Sequence, residues 1–194
     1  YTHHCIIAIR SRNIISSSSF LMETPLKNYP ISEKEERRLK RLIGYKSLDD
    51  YDRTGTFQHV VSMAAHVFNV PIALVNFVDR ETTLVNSSVG MDGVSEVDRG
   101  ISLCSQAILR DEVTVFENAK QEPCLLLNPF VHGDFGLHFY AGAPLRTPDG
   151  YNIGALGIGD TKPRDFSSED RMLLKDLAAV VMEELEQKKA LIHR

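Results

Sequence analysis

The sequence predicts an α+β domain, a single antiparallel sheet with helices packed on one face. Two observations carry this. The elements read in the order α, α, β, β, α, β, long connection, β-hairpin, α. Strand pairs joined by tight turns build antiparallel sheets, whereas a doubly wound parallel sheet places a helix after nearly every strand. The 194 residues contain no internal repeat, and a length of about 100–200 residues suits one domain.

The elements follow in order. Ser32-Glu33-Lys34-Glu35 fits a capping box, with Ser at the N-cap and Glu three residues on. Leu39, Leu42 and Ile43 follow at helical spacing, and Gly44 is a natural stop. The run Arg37, Arg38, Lys40 and Arg41 is expected to form a solvated helix face. A second helix spans about 54–68, with Phe57, Val60, Val61, Ala64, Ala65 and Phe68 on one apolar side. Asn69 and Pro71 end it. Residues 72–78 form a mostly apolar run, expected as a central buried strand. Asp79-Arg80-Glu81 turns the chain into a second strand over 83–87, and 90–100 is a polar loop.

Ser102 is placed as the cap of a short helix over 103–109, and 113–116 is a short β-branched strand. Residues 118–136 form a long connection containing Pro123, Pro129, Gly133 and Gly136. Such a connection inside a compact domain is more often functional than decorative. An aromatic-rich strand over 137–145, the turn Pro148-Asp149-Gly150 and a return strand over 151–158 make a hairpin. Ser167 caps the last helix with Asp170 at N3. Met172, Leu173, Leu177, Val180, Val181 and Leu185 form its apolar stripe, to about Lys189.

Composition narrows the function classes. The chain is 43% hydrophobic and 25% charged, which is ordinary globular usage. Its 22 basic and 26 acidic residues leave a net charge of −4. That is no excess for neutralising phosphates, so nucleic acid is excluded as a partner. No window approaches the ~20 apolar residues of a membrane helix, so no membrane association is expected. Three cysteines argue against a disulfide-stapled secreted domain and for a reducing, cytoplasmic setting. Residues 1–21 make a poor secretory signal, because Arg10 and Arg12 follow the short apolar patch 6–9 and a serine linker spans 16–19. Met22 is the expected native start, with 1–21 as upstream or vector sequence, 22–38 as an N-terminal segment and helix, 39–187 as the domain and 188–194 as a tail.

Four blocks carry a family resemblance. They are Asn69-Val70-Pro71-Ile72-Ala73-Leu74-Val75-Asn76-Phe77-Val78-Asp79 and Ser102-Leu103-Cys104-Ser105-Gln106-Ala107-Ile108, then Asn128-Pro129-Phe130-Val131 leading into 138–145, and Thr147-Pro148-Asp149-Gly150 leading into 153–164. In this order they resemble the GAF domains of bacterial sensor proteins over roughly 39–187. The resemblance implies a GAF-like fold, a six-stranded antiparallel sheet whose N- and C-terminal helices share one face and often build a dimer. It also implies a ligand pocket on the other face and a place in signalling chains with histidine kinases, cyclases or phosphodiesterases. The last helix resembles the helix that leads into an output domain.

The resemblance also brings a reductase into view. Cys104 on the short helix and Cys124 in the long connection fall where free methionine-R-sulfoxide reductases of the family place their cysteines. A thiolate would attack the sulfoxide sulfur and a second thiol resolve the product. Here Ser105 follows Cys104, and Leu125-Leu126-Leu127 follow Cys124, so the match is partial; a free cysteine is otherwise a small hydrophobe. Neither Cys5, Cys104 nor Cys124 precedes a histidine, unlike bilin-attaching members. Phe166-Ser167-Ser168-Glu169-Asp170 is a near miss to the late Phe-x-x-x-Asp-Glu element of cyclic-nucleotide binders. Gly154, Gly157 and Gly159 lack the G-x-G-x-x-G spacing and read instead as close packing or a ligand's approach. The histidines form no metal set, and no nucleophile elbow is present.

The candidate ligand-binding residues are therefore Arg99, Cys104, Cys124, Asp134, His138 and Tyr140. Arg99 could hold an anion with the helix start at Ser102, or pair with Asp98 or Glu96. The expectation is a non-enzymatic sensory domain with no resident cofactor. It would bind a small molecule or a partner such as a histidine kinase, and dimerise through its terminal helices. A ligand would act by favouring one packing of the connection 118–136. The alternatives are the reductase and a ligand-free dimerisation module, whose pocket would be filled by side chains of that connection. Leu177→Glu with Val181→Glu is the sequence-based test of dimerisation.

Overall fold

The computed structural model describes residues 31–46 and 56–192. The expectations for 1–21, Met22, Cys5 and the start of the second helix at 54 lie outside them. The described elements are α1 (Glu33–Lys46), α2 (Gln58–Val67), β1 (Ile72–Val78), β2 (Thr82–Val89), β3 (Glu96–Asp98), α3 (Cys104–Ala107), β4 (Thr114–Phe116), α4 (Pro129–His132), β5 (Phe139–Arg146), β6 (Asn152–Asp160) and α5 (Ser168–Ile192). Six strands form one sheet in the order β3-β2-β1-β6-β5-β4, and every pairing is antiparallel.

The sheet is covered on both faces, so all seven residues of β1 are buried. Strand alternation divides them. Ala73, Val75 and Phe77 join the larger core with residues of α1, α2 and α5. Ile72 and Leu74 join a second core with residues of α3, α4 and the connection. By the same alternation Asn76 falls on this second face.

The helix ends are set locally. The Glu35 amide donates to the Ser32 hydroxyl at 3.2 Å. At α5 the Asp170 amide donates to the Ser167 hydroxyl at 3.1 Å, and the Ser167 amide donates to the Asp170 carboxylate at 3.0 Å. After α2, Asn69 turns left-handed at φ 48°. Its amide reaches the His66 carbonyl and the Val70 amide the Ala65 carbonyl, which is a Schellman motif.

Four expectations are corrected. α1 passes Gly44 because Tyr45, not Ile43, faces the core: Tyr45 is buried and Ile43 is 64% exposed. The Tyr45 hydroxyl meets Glu186 of α5, and Lys189 lies 4.3 Å over its ring. Arg38 leaves the solvated face and is buried, because β1's last carbonyl and Glu35 both need a donor there. The polar stretch 90–100 contains β3, which pairs with Thr82–Leu84; three largely exposed residues carry too little apolar pattern to announce a strand. Finally, the buried stripe of α5 is Leu174, Leu177, Ala178, Val181, Met182 and Leu185, whereas Met172, Leu173 and Val180 are exposed.

Candidate functional site

On the face opposite α1, α2 and α5, the second core leaves a cavity of about 50 Å³. One water needs roughly 10–15 Å³ by the same kind of measure, so the space admits a group of several atoms. Ile72 and Leu74 of β1 form part of the floor, Thr83 and Val85 of β2 one wall, and Leu103 and Cys104 at α3 another. Phe130 and Phe135 also line it, their rings in edge contact at 5.7 Å. Side chains of the connection thus cover the cavity without filling it. None of the described residues lining it is acidic, basic or histidine.

Its polar atoms are unusual for a buried site. Thr83 and Tyr140 line it; their hydroxyl oxygens are buried, that of Thr83 without a hydrogen-bond partner and that of Tyr140 against the Cys104 thiol, Gly142 and Ala107. Buried polar groups are normally satisfied, because an orphan costs about 1–3 kcal/mol. Both atoms of the Asn76 amide are orphaned too. The Cys104 thiol lies beside Tyr140, Asn76 and Ser102; burial pushes its pKa up, and these three neighbours offset only part of that. Burial and the adjacent Cys104 also push the Tyr140 hydroxyl well up. Both groups therefore stay protonated at neutral pH, and Cys104 is a poor nucleophile there.

Glycines make room for the tyrosine. Gly142 faces Gly157 across β5 and β6. A Cβ on Gly142 would collide with the Tyr140 hydroxyl, and one on Gly157 would lie 3.2 Å from the Tyr140 ring. Close approach, read from the small residues at 154–159, is what these strands provide.

The structure distributes the six candidate residues unevenly. Cys104 and Tyr140 line the cavity. Cys124 packs against the same apolar cluster but outside that lining. Asp134 is exposed. His138 precedes β5; its Nδ1 is buried without a partner and outside the lining. Arg99 stands away from the cavity and pairs with Glu35 of α1 at 2.6 Å, not with Asp98 or Glu96. Thr83 and Asn76 were missed. Asn76 left a sequence signal, an amide inside an otherwise apolar strand. Thr83 left none, because threonine is at home in strands. Ser102 borders the cavity instead of capping α3, whose N-cap is Leu103 without a side-chain bond.

Arg99 belongs to a polar chain that leaves the cavity wall. The Ser105 hydroxyl of α3 shares its one proton between the Ser102 carbonyl at 2.6 Å and the Arg99 carbonyl at 2.8 Å. The Arg99 guanidinium reaches the Glu35 carboxylate and, at 2.9 Å, the Asp79 carbonyl. Arg38 donates twice to Glu35 and once, at 2.7 Å, to the Val78 carbonyl. The Asn128 amide of the connection donates to the Ile101 carbonyl at 2.8 Å, two residues from Arg99. Burial works against the Glu35 carboxylate, but Arg38 and Arg99 outweigh it and hold its pKa below the ordinary 4.5. A lowered folded pKa gives stability that is present above 4.5 and lost as pH falls through the folded value. Relative to Glu35→Gln, the wild type is therefore expected to lose its advantage in urea melts as pH drops below 4.5. An advantage independent of pH would show that the carboxylate charge is not what holds α1.

A family-wide sequence profile described as GAF domain matches residues 52–185. The chain is 34% identical over 162 residues to a cyclic di-GMP phosphodiesterase of Pseudomonas aeruginosa; the match covers 83% of this chain and 27% of that protein. The chain thus spans about a quarter of that relative. Among solved structures, the GAF domain of a phosphoenolpyruvate-protein phosphotransferase from Coxiella burnetii aligns at TM-score 0.60 and 16% identity, covering 84% of this chain and all of that one. A free methionine-R-sulfoxide reductase from Neisseria meningitidis aligns at 0.59 and 15% identity, covering 84% and 97%. At such identities the two structures attest the fold alone. The phosphodiesterase overturns the expectation of a non-enzymatic protein, since a relative this similar is named as an enzyme.

Proposed function

We propose that this chain, which belongs to the GAF domain family, is the sensory and regulatory domain of a cytoplasmic cyclic di-GMP phosphodiesterase. The relative named for that activity supports the reaction. The cavity supports the regulation, and one observation carries it: an apolar space of about 50 Å³ that the side chains of the connection cover without filling. A ligand that fills it gains apolar contacts the empty domain lacks.

The polar chain is the proposed way out. A ligand that moves α3 moves the Arg99 carbonyl, and the same residue is tied to Glu35 of α1. α1 is tied in turn to α5 through Tyr45 and Glu186. α5 also exposes Leu173, Val180 and Leu191, whose separations of seven and eleven residues put them on one helix side. We assign this side to pairing with a second copy. A phosphodiesterase regulated this way is a signalling partner in its own right, and a histidine kinase is not needed for output.

The test fills the cavity in the protein as it exists. Val85→Phe is expected to change the rate of cyclic di-GMP hydrolysis by about fivefold or more, in the range of ordinary allosteric coupling. Val85→Phe combined with Arg99→Gln should return the rate towards that of Arg99→Gln alone. No hydrolysis by the wild type would overturn the reaction. Hydrolysis indifferent to Val85→Phe would overturn regulation through the cavity.

A further inference from the structure

We propose that the cavity takes a small, uncharged, apolar molecule, held by packing and not by hydrogen bonds or ion pairs. This rests on the reading of the cavity as the regulatory site. It adds the chemical class of ligand.

The space sets the size. At roughly 10–15 Å³ for each water-sized group, a cavity of about 50 Å³ holds about three to five heavy atoms. The lining sets the chemistry. Ile72, Leu74, Val85, Leu103, Phe130 and Leu137 surround the space with hydrocarbon, and the described lining residues include no acid, base or histidine. A buried phosphate, carboxylate or ammonium would have no counter-charge there. Cyclic di-GMP, with two phosphates, is therefore excluded from this cavity. A neutral polar head fares little better. The Thr83 hydroxyl oxygen is closed off within the wall. The Tyr140 hydroxyl is turned to Cys104, Gly142 and Ala107, and Ser102 lies beside the Cys104 thiol. Water needs about two to four polar partners to settle in a buried space, so an apolar guest displaces nothing well held. It leaves bulk water and gains dispersion contacts that the walls of the empty space lack. Two lining residues suit its passage. Met91 is half-buried, and its flexible thioether chain adapts to the shape of a guest. Phe135, at 36% exposure, brings the lining out to the surface.

Pentane, 1-butanol, butylamine and propionate have the same number of heavy atoms and differ in the head, which is methyl, hydroxyl, ammonium or carboxylate. Each is titrated at pH 7 into the protein that carries this chain, with binding followed by heteronuclear chemical-shift changes and by melting temperature. Pentane is expected to bind saturably, to shift resonances of residues around the cavity and to bind at least tenfold tighter than the other three. Val85→Phe fills the space and should weaken pentane at least tenfold; Met91→Phe fills it from the half-buried side and gives the same reading if Val85→Phe does not fold. Thr83→Val should leave 1-butanol as weak as in the wild type, because the hydroxyl it removes is closed off from the space. No saturable binding of pentane, equal or tighter binding of any of the other three, or pentane affinity unchanged by filling would each overturn the ligand class. So would a selective loss of 1-butanol in Thr83→Val, which would show a polar head held there. A hydrolysis rate that still responds to Val85→Phe in those cases leaves the regulatory reading standing. Pentane binding with hydrolysis indifferent to Val85→Phe keeps the ligand class and removes the regulation, so the two failures are distinguishable.

Discussion

Val181→Glu is expected to unfold the domain, whereas Val180→Glu leaves it folded. The two positions are neighbours in α5, yet Val181 is fully buried and Val180 is 40% exposed. A carboxylate at 181 would lie in the helix-side core, whose buried members include Val61, Leu174 and Leu185. An unpaired buried charge is among the largest single-residue penalties, on the order of 4–5 kcal/mol. That rivals the whole stability of many domains, which is about 5–15 kcal/mol. At 180 the same change should stay within about 0.5 kcal/mol. Urea unfolding separates the two outcomes, and equal loss at both positions would contradict the rotation of α5. This contrast also corrects the test of dimerisation. Leu177 and Val181 are both buried, so glutamates there would destroy the protomer and report nothing about pairing. Leu173→Glu with Val180→Glu is the informative pair, with light scattering as the readout. Monomers are expected, and a persisting dimer would place the interface elsewhere.

Gly142→Ala is expected to cost about 1–3 kcal/mol, the usual penalty for forcing extra volume into a packed interior. The added Cβ would meet the Tyr140 hydroxyl and, at 2.9 Å, the Ala107 Cβ of α3. The strand backbone does not need a glycine here for its dihedral angles, because Gly142 is not among the residues of positive φ. The cost is therefore steric, and it has a specific suppressor. Tyr140→Phe removes the oxygen in the way, so the double variant should recover part of the lost stability and keep the part owed to Ala107 and to the ring carbon Cζ, each 2.9 Å from the added Cβ. Thermal melts of the two single variants and the double variant form the cycle. Strictly additive effects would mean that the tyrosine does not lie over Gly142.

Much of the architecture was legible along the chain. β1 was read to the residue, since an apolar run between a Pro71 stop and the Asp79 turn leaves little freedom. Ser32 and Ser167 each announced a helix start, and Pro148-Asp149-Gly150 announced the last hairpin. These signals are local, and local backbone preference was enough to place them. The site was half legible. Cys104, His138 and Tyr140 came through the blocks that resemble GAF domains, Cys124 through the reductases among them, and Arg99 and Asp134 as polar residues beside the expected pocket; of the six only Cys104 and Tyr140 line the cavity.

By itself the sequence determined the α+β class, β1 and the last hairpin, the caps at Ser32 and Ser167 and a net charge of −4, while it missed β3 and misplaced a cap at Ser102. The features it determined depend on neighbours within a few positions or on composition. Only the tertiary structure decided that Thr83, Cys104 and Tyr140 share one cavity, that Asn76 lies beside that thiol, that Arg99 faces Glu35 across 64 residues, and that α5 buries Val181 instead of Val180. Strand alternation offers two faces and a helix offers a full turn of directions. Which of them meets which partner is settled by sheet register and by the packing of helices on both faces, and those contacts join residues too far apart in sequence to leave a periodic signal.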